Sequence, residues 1–238
     1  MEESEVINTS NSKNEYVVEC EPDSQTVLFA AKTAVEETSK LYGPIFTRMV
    51  SEYALKFEAR MLKEKPPENI QGLDAVTNYI TANLNRYPRG YNALIYGIAR
   101  ADSKLQGSTG SGSRRAAYSG MKSVLEGSGL LNGVIGTTED IFEANCKSLE
   151  IFKAIKTAVT SRHIRGKNNQ VIVAVPNCAY KDACEALLNE GISRLVGGME
   201  CIYLILTIFG PEIITKKHLD YKLEELDKPE CKGRMFEV

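Results

Sequence analysis

Hydrophobic positions in the first quarter of the chain recur at helical spacing. Residues 25–42 follow the pattern of one helix, and Gly43–Pro44 marks its end, because Gly suits the position after a helix and Pro suits the first turn of the next. The second helix carries an apolar stripe at steps of three and four residues, made of Phe46, Val50, Tyr53, Phe57 and Met61. The pattern therefore predicts two consecutive helices, and the stripe predicts that the second buries one face in a core.

The middle of the chain alternates between apolar runs and turn residues. The spacing of Leu73, Val76 and Ile80 predicts a short helix that ends before Pro88. Residues 91–106 are interpreted as a strand, because aromatic and β-branched residues dominate their first half. A Gly-rich segment at 107–115 follows, and a helical pattern comes next. Strand, Gly-rich turn and helix therefore succeed one another in this prediction.

The second half of the chain has a mixed pattern. Thr137 and Thr138 predict the start of a helix, and the basic stretch at 161–167 is interpreted as a solvated connection. The apolar run at 170–176 predicts a buried strand, and residues 181–191 predict a helix. The apolar segment 192–209 is ambiguous between strand and helix, and its length favours a buried helix.

The carboxyl end has the composition of a β-hairpin, with runs at 219–226 and 233–238 on either side of the turn-like DKPECKG. The sequence therefore predicts an α/β fold of the α+β type, in which an antiparallel sheet packs against helices. Residues 1–24 are predicted to be a flexible acidic segment in which residues 16–18 could form a short strand. Residues 25–238 are predicted to form a single ligand-binding domain.

Charge and composition exclude several classes of protein. Residues 1–24 hold seven acids against one lysine, so the net charge of −2 leaves a small positive surplus for the rest. That surplus is spread along the chain, and a nucleic-acid partner is not expected. We find no run of about 20 mostly apolar residues and no basic start with an apolar centre. The prediction is a cytoplasmic protein without a transmembrane segment.

The Gly-rich segment is the first candidate for chemistry. A Gly-rich turn between a strand and a helix can aim backbone amides at a phosphate, and basic side chains nearby would add to the attraction. The candidate cofactor-binding residues are Gly110, Gly112, Arg114 and Arg115. Their spacing fits neither the P-loop nor the dinucleotide fingerprint. A soluble loop with a Ser helix cap is the alternative interpretation.

The cysteines are the second candidate. Of six cysteines, four fall in the carboxyl-terminal third, namely Cys178, Cys184, Cys201 and Cys231. Four thiolates could complete a tetrahedral zinc site or hold an iron–sulfur cluster. The spacing lacks the close Cys-x-x-Cys pairs of zinc ribbons, so ordinary buried or surface thiols are the alternative.

Hydrolytic chemistry has little support in the sequence. The chain contains no G-x-S-x-G pattern, and its two histidines, His163 and His218, are interpreted as solvated residues. No pair of carboxylates stands out as an acid–base dyad. The prediction leans towards a protein that is not an enzyme.

The carboxyl third resembles the 4-vinyl reductase (hydrocarbon-binding) domain family. The likeness consists of the apolar strand leading to Cys178, the helix running into Glu190–Gly191, and the closing hairpin with Cys231 ahead of Phe236-x-Val238. That family is related to the small subunits of the TRAPP vesicle-tethering complex and to haem–nitric-oxide sensor domains. The resemblance implies an antiparallel sheet backed by helices, frequent dimerisation and an apolar pocket for a hydrophobic small molecule.

These observations lead to three hypotheses. The first is non-enzymatic binding of a hydrophobic small molecule in an apolar pocket, with the four cysteines as a metal or redox-sensing site in a homodimer. The second is a TRAPP-like dimeric scaffold. The third is an enzyme that binds a phosphate-bearing ligand at Gly107–Arg115.

Overall fold

Two groups of elements make up the described chain. The computed structural model describes residues 11–19, 24–106, 111–155, 158–192, 201–226 and 230–238. A helical unit contains Ser24–Gly127 and Ala179–Leu206, and a sheet unit contains Ser128–Cys178 and Thr207–Val238 with the described residues before Ser24. The single ligand-binding domain expected over residues 25–238 stays a prediction.

The elements follow one another in a mixed order. The helices are α1 (Ser24–Leu62), α2 (Leu73–Ala82), α3 (Tyr91–Gln106), α4 (Ser111–Gly127), α5 (Ile141–Ala154), α6 (Lys181–Asn189) and α7 (Ile202–Thr215). The strands are β1 (Asn11–Ser12), β2 (Glu15–Val18), β3 (Ser161–Arg165), β4 (Val171–Pro176), β5 (Leu219–Glu225) and β6 (Glu230–Glu237). None of the helices, over the residues described, is long and apolar enough to cross a membrane.

Helix α1 is two helical segments joined at a kink. Gly43 leaves the helical conformation with φ 71° and ψ −160°, and Pro44 opens the second segment. This left-handed φ favours Gly, and Pro44 has no N–H to donate back along the first segment. Phe46, Val50 and Phe57 of the predicted apolar stripe are buried. The prediction of two consecutive helices broken at Gly43–Pro44 is confirmed.

Helix α3 packs closely against α1 in the helical unit. A Cβ atom at Gly97 would lie 2.7 Å from the Val50 carbonyl oxygen and 3.1 Å from the Ala54 Cβ. The first distance is shorter than side-chain carbons tolerate and the second is tight, so the absence of a Cβ at Gly97 allows the two backbones to approach. Leu94 and Ile98, on the neighbouring turns of α3, are also buried.

The prediction of a strand at residues 91–106 is wrong, because these residues form α3. Every residue from Tyr91 to Ala99 is buried. A helix covered on all sides shows no polar face, so its amino-terminal half reads as the continuous apolar run of a buried strand. The run of 16 residues fits a helix better than a strand, whose usual length is about five or six residues.

Side chains from α3 and from the turn before it hold α6 within the helical unit. The Asp182 carboxylate accepts hydrogen bonds from the Tyr87 hydroxyl at 3.0 Å and from the Asn92 amide at 3.3 Å. At the other end of α6, Glu190 accepts from Tyr96 and lies 2.9 Å from Nε of Arg100. The helix predicted at 181–191 is confirmed as α6, with Glu190 as its C-cap.

The sheet unit contains a six-stranded antiparallel sheet in the order β1-β2-β3-β4-β6-β5. His163 in β3 faces Tyr16 of β2 on one side and Val173 of β4 on the other. The strands β5 and β6 form the predicted carboxyl-terminal hairpin, and β4 is the predicted apolar strand. The α+β fold class with an antiparallel sheet is confirmed.

Helix α5 packs on this sheet through polar and aromatic contacts. Asp140 caps the helix by accepting from the Glu143 N–H at 2.8 Å, and it also pairs with Arg165 of β3. The Arg165 guanidinium lies 4.7 Å from the ring centroid of Phe142. A cation over an aromatic face adds to the packing between helix and sheet.

The prediction of a solvated connection at 161–167 is wrong, because residues 161–165 form β3. Ser161 and His163 are fully buried, whereas Arg162 between them is exposed. This is the alternation of a strand with one covered face. It was hidden in the sequence because the residues on the covered face are polar.

We expect Gly97→Ala to destabilise the protein. The added methyl group cannot occupy its place without moving the α1 backbone, so the free energy of unfolding in urea should fall by about 1 to 3 kcal/mol. Gly127→Ala is the matched control, because nothing lies within 4 Å of the Cβ position at that helical glycine. If both variants unfold at the parent urea concentration, the close approach at Gly97 is contradicted.

Candidate functional site

The four candidate cysteines lie on different elements. Cys178 follows β4 and Cys184 lies in α6, and both are buried; Cys201 precedes α7 and Cys231 lies in β6, and both are partly buried. Over the described ranges, no group of three or more His, Cys, Asp or Glu side chains is placed to hold a metal ion. The zinc or iron–sulfur site therefore stays a prediction from the sequence.

The Gly-rich segment differs from the arrangement that motivated an anion site. Residues 107–110, including Gly110, lie outside the described residues. Gly112, Arg114 and Arg115 lie within α4, whose side chains at these positions are also outside the description. The preceding element is a helix rather than a strand, so the strand–turn–helix arrangement of phosphate-binding loops is not formed here. Anion binding at these four residues stays a prediction.

A groove beside the kink of α1 is a concave site of the helical unit. It lies between α1 residues 39–56 and the connection 66–72 that leads into α2, and its volume is about 710 Å³. Pockets for small organic ligands commonly measure about 300 to 1,000 Å³. The kink at Gly43 and the prolines of the connection shape its walls.

Apolar side chains form much of the groove wall. They are Pro44, Leu55, Pro66, Pro67 and Ile70. Leu55 is buried, and Pro67 and Ile70 are half-buried. Proline has a fixed φ and few rotamers, so three of these five residues lose little conformational freedom when a ligand binds.

Three hydroxyl side chains line the groove, those of Ser39, Thr47 and Ser51, and each is hydrogen-bonded within α1. Ser51 donates to the Thr47 carbonyl at 2.8 Å, and Thr47 donates to the Gly43 carbonyl at 3.4 Å. The Ser39 and Thr47 hydroxyls also hydrogen-bond to each other. These hydrogen bonds tie the three hydroxyl groups to the helix on both sides of the kink.

Three charged side chains complete the groove, namely Arg48, Glu52 and Lys56. Lys56 pairs with Glu52 one helical turn away. Within the part of the chain that the structure describes, Arg48 has no carboxylate at ion-pair distance. The groove therefore carries one surplus positive charge, on Arg48.

Glu58 is a buried carboxyl group farther along α1. The residue is fully buried, and both carboxyl oxygens lack a hydrogen-bond partner among the described residues. Burial raises the pKa of Glu58 to about 8, with a smaller opposing effect from Arg86. The carboxyl group is therefore mostly protonated at neutral pH. The sequence held one signal for this buried carboxyl group. Glu58 lies three positions after Leu55, so in a helix it shares a face with an apolar residue.

His163 forms the second buried polar centre, within the sheet unit. The Asn145 amide donates to Nδ1 at 2.9 Å, which leaves the proton on Nε2, and Nε2 lies 3.0 Å from the Ser161 hydroxyl. Ser161 in turn donates to the Val159 carbonyl at 2.8 Å. The ring therefore donates towards the serine, whereas the base of a nucleophilic serine must accept its proton. Burial lowers the pKa of His163 to about 3, so the ring is neutral.

Comparison with known proteins adds two distant likenesses. A chain solved in a study of heme distortion in the H-NOX family is 14% identical, with a TM-score of 0.36 over 88% of this chain and 93% of that one. An oxygen-binding H-NOX domain related to soluble guanylate cyclases, in its oxygen complex, is also 14% identical, with a TM-score of 0.32 over 90% and 94%. TM-scores of this size do not establish a shared fold.

No protein-family model and no curated protein matches the sequence. The resemblance of the carboxyl third to the 4-vinyl reductase family therefore stays a prediction.

We expect Glu58→Gln to stabilise the protein at alkaline pH. The folded state keeps the Glu58 proton up to pH 8, while an unfolded carboxyl loses it near pH 4.5, so stability falls as the pH rises between these values. Gln resembles the protonated carboxyl and removes this loss, so the variant should exceed the parent by about 2 to 4 kcal/mol at pH 9 and match it near pH 4.5.

The measurement is urea unfolding at both pH values. Glu52→Gln, at an exposed position on the same helix, is the matched control. For each variant, the difference in free energy of unfolding from the parent is compared between pH 4.5 and pH 9. If this difference rises no more for Glu58→Gln than for Glu52→Gln, the neutral state of the Glu58 carboxyl is contradicted.

We also expect the His163 ring to stay neutral in mildly acidic solution. Its lowered pKa means that the folded state resists protonation, and stability should decline as the pH falls from about 6.5 towards 3. Ring ¹⁵N chemical shifts at pH 5 should show a neutral imidazole with the proton on Nε2. The exposed ring of His218 gives a reference signal in the same spectra. A charged ring, or a proton on Nδ1, would refute the assigned hydrogen bonds.

Proposed function

We propose that the protein binds a hydrophobic small molecule in the groove of the helical unit and does not transform it chemically. The observation that carries this proposal is the groove itself, with its volume of about 710 Å³ and its wall of proline and aliphatic side chains. Transfer of apolar surface out of water supplies the driving force. Each methylene group that becomes buried contributes about 0.8 kcal/mol.

The local structure supports a groove that exists before the ligand arrives. Gly43 and Pro44 fix the kink, and the hydroxyl hydrogen bonds of Ser39, Thr47 and Ser51 hold the helix on either side of it. A preformed site avoids the cost of ordering its walls at binding, which favours affinity. The ligand therefore needs only to displace water from an apolar surface.

The other hypotheses gain less support from the described residues. The buried histidine network has its protons arranged against nucleophilic catalysis by Ser161. The dimeric scaffold and the phosphate-binding enzyme remain predictions from the sequence. Small-molecule binding is the function that the described geometry favours.

Calorimetric titration with 1-decanol, a neutral aliphatic ligand, tests the proposal. We expect saturable binding by the parent, and we expect Ile70→Asp to weaken it about tenfold, because a charge in the apolar wall must lose its hydration. Ile70→Leu preserves the apolar wall and should bind as the parent does. Ile135→Asp, at an exposed apolar position outside the groove, is the surface control.

Two results would contradict the proposal. One is the absence of binding by both 1-decanol and its carboxylate analogue decanoate. The other is equal binding by the parent and the Ile70→Asp variant, which would place the ligand elsewhere on the protein. Thermal unfolding of each variant, followed by circular dichroism, verifies that it is folded.

A further inference from the structure

The charges that line the groove restrict the chemistry of its occupant. Lys56 is neutralised by Glu52, which lies one turn earlier in α1. Arg48 lies on the same helix, lines the groove, and has an exposed side chain. Because none of the described carboxylates lies at ion-pair distance from it, its positive charge is available to a bound molecule.

The hydrogen-bond donors of the groove also point to Arg48 as the group that would bind a polar head group. The hydroxyl groups of Ser39, Thr47 and Ser51 are each hydrogen-bonded within α1. Arg48 presents five N–H donors in a planar fork that matches the two oxygens of a carboxylate. The side-chain amides of Asn69 and Gln71 also line the groove, but they are neutral, so the charged guanidinium of Arg48 is the strongest of these donors for a polar group of the ligand.

Resting on the proposed function, we propose that the ligand is a monomeric long-chain carboxylate. Its carboxylate pairs with Arg48, and its chain lies along the apolar wall formed by Leu55, Pro67 and Ile70. The single surplus charge of the groove equals the charge of one carboxylate. A phosphate monoester carries about −1.5 to −2 at neutral pH, which one guanidinium does not balance.

Comparison of decanoate with 1-decanol tests this assignment, because the two ligands share a chain length and differ in the head group. Titrations at pH 8, below the concentration at which decanoate forms micelles, should show decanoate binding about tenfold more tightly than decanol to the parent. A charge-assisted hydrogen bond of modest strength accounts for a preference of this size. Added salt should reduce the preference, because the pair is exposed to solvent.

Variants at Arg48 test whether its guanidinium causes the preference for decanoate. Arg48→Gln should abolish the preference for decanoate, measured as the ratio of the decanol and decanoate dissociation constants of the same variant, and Arg48→Lys should retain part of it. Lys104→Gln is the matched control, because it removes one exposed positive charge from the same unit outside the groove. This variant should keep the full preference.

Each outcome bears on one of the two proposals. Equal binding of decanoate and decanol by the parent, or a preference that survives Arg48→Gln, overturns the carboxylate assignment and leaves the groove as a hydrophobic site. Tighter binding of decyl phosphate than of decanoate also overturns it. Failure of both decanol and decanoate to bind defeats the proposed function instead.

Discussion

The backbone contact between α1 and α3 at Gly97 fixes the helix that carries the groove. A glycine at this position brings α3 to van der Waals distance from the turn of α1 that contains Val50 and Ala54. The groove residues Arg48, Ser51 and Leu55 come from that same stretch of α1. The shape of the site therefore depends on a packing contact that touches no ligand. Close-packed helices of this kind transmit small changes in backbone position directly.

Burial also determines the protonation of two titratable groups. Glu58 in the helical unit and His163 in the sheet unit are fully buried, and burial shifts the pKa of each towards its neutral form. Their hydrogen bonding differs, however. His163 uses both ring nitrogens, whereas the Glu58 oxygens have no hydrogen-bond partner among the described residues. Glu58 therefore costs stability in a way that His163 does not.

Sequence patterns predicted the elements whose signals are local. The kink at Gly43–Pro44, the strand β4 and the hairpin of β5 and β6 each rest on turn residues or on an apolar run of suitable length. The errors have a common cause. The amino-terminal half of helix α3 is covered on all sides, and strand β3 buries polar residues, so burial in both cases departs from the usual amphipathic pattern. Tertiary packing determined these two elements, and one sequence does not reveal it.

The groove was only partly visible in the sequence. The break at Gly43–Pro44 was recognisable in the sequence, but its place in one groove wall with Pro66 and Pro67 depends on three-dimensional structure. The same holds for Arg48, which reads as an ordinary exposed cation until the pairing of Lys56 with Glu52 is known. The sequence directed attention to the cysteines and to the Gly-rich segment instead, and the described geometry adds no support to either.

The central claim is that the kinked helix and the Pro-rich connection enclose the ligand. Chemical-shift mapping of ¹⁵N-labelled protein with 1-decanol tests it most directly, because each backbone amide reports its own surroundings. The account predicts saturable shifts concentrated at residues 39–56 and 66–72, with little change along β3 and β4. Shifts concentrated in the sheet unit, with the groove amides unmoved, would contradict it.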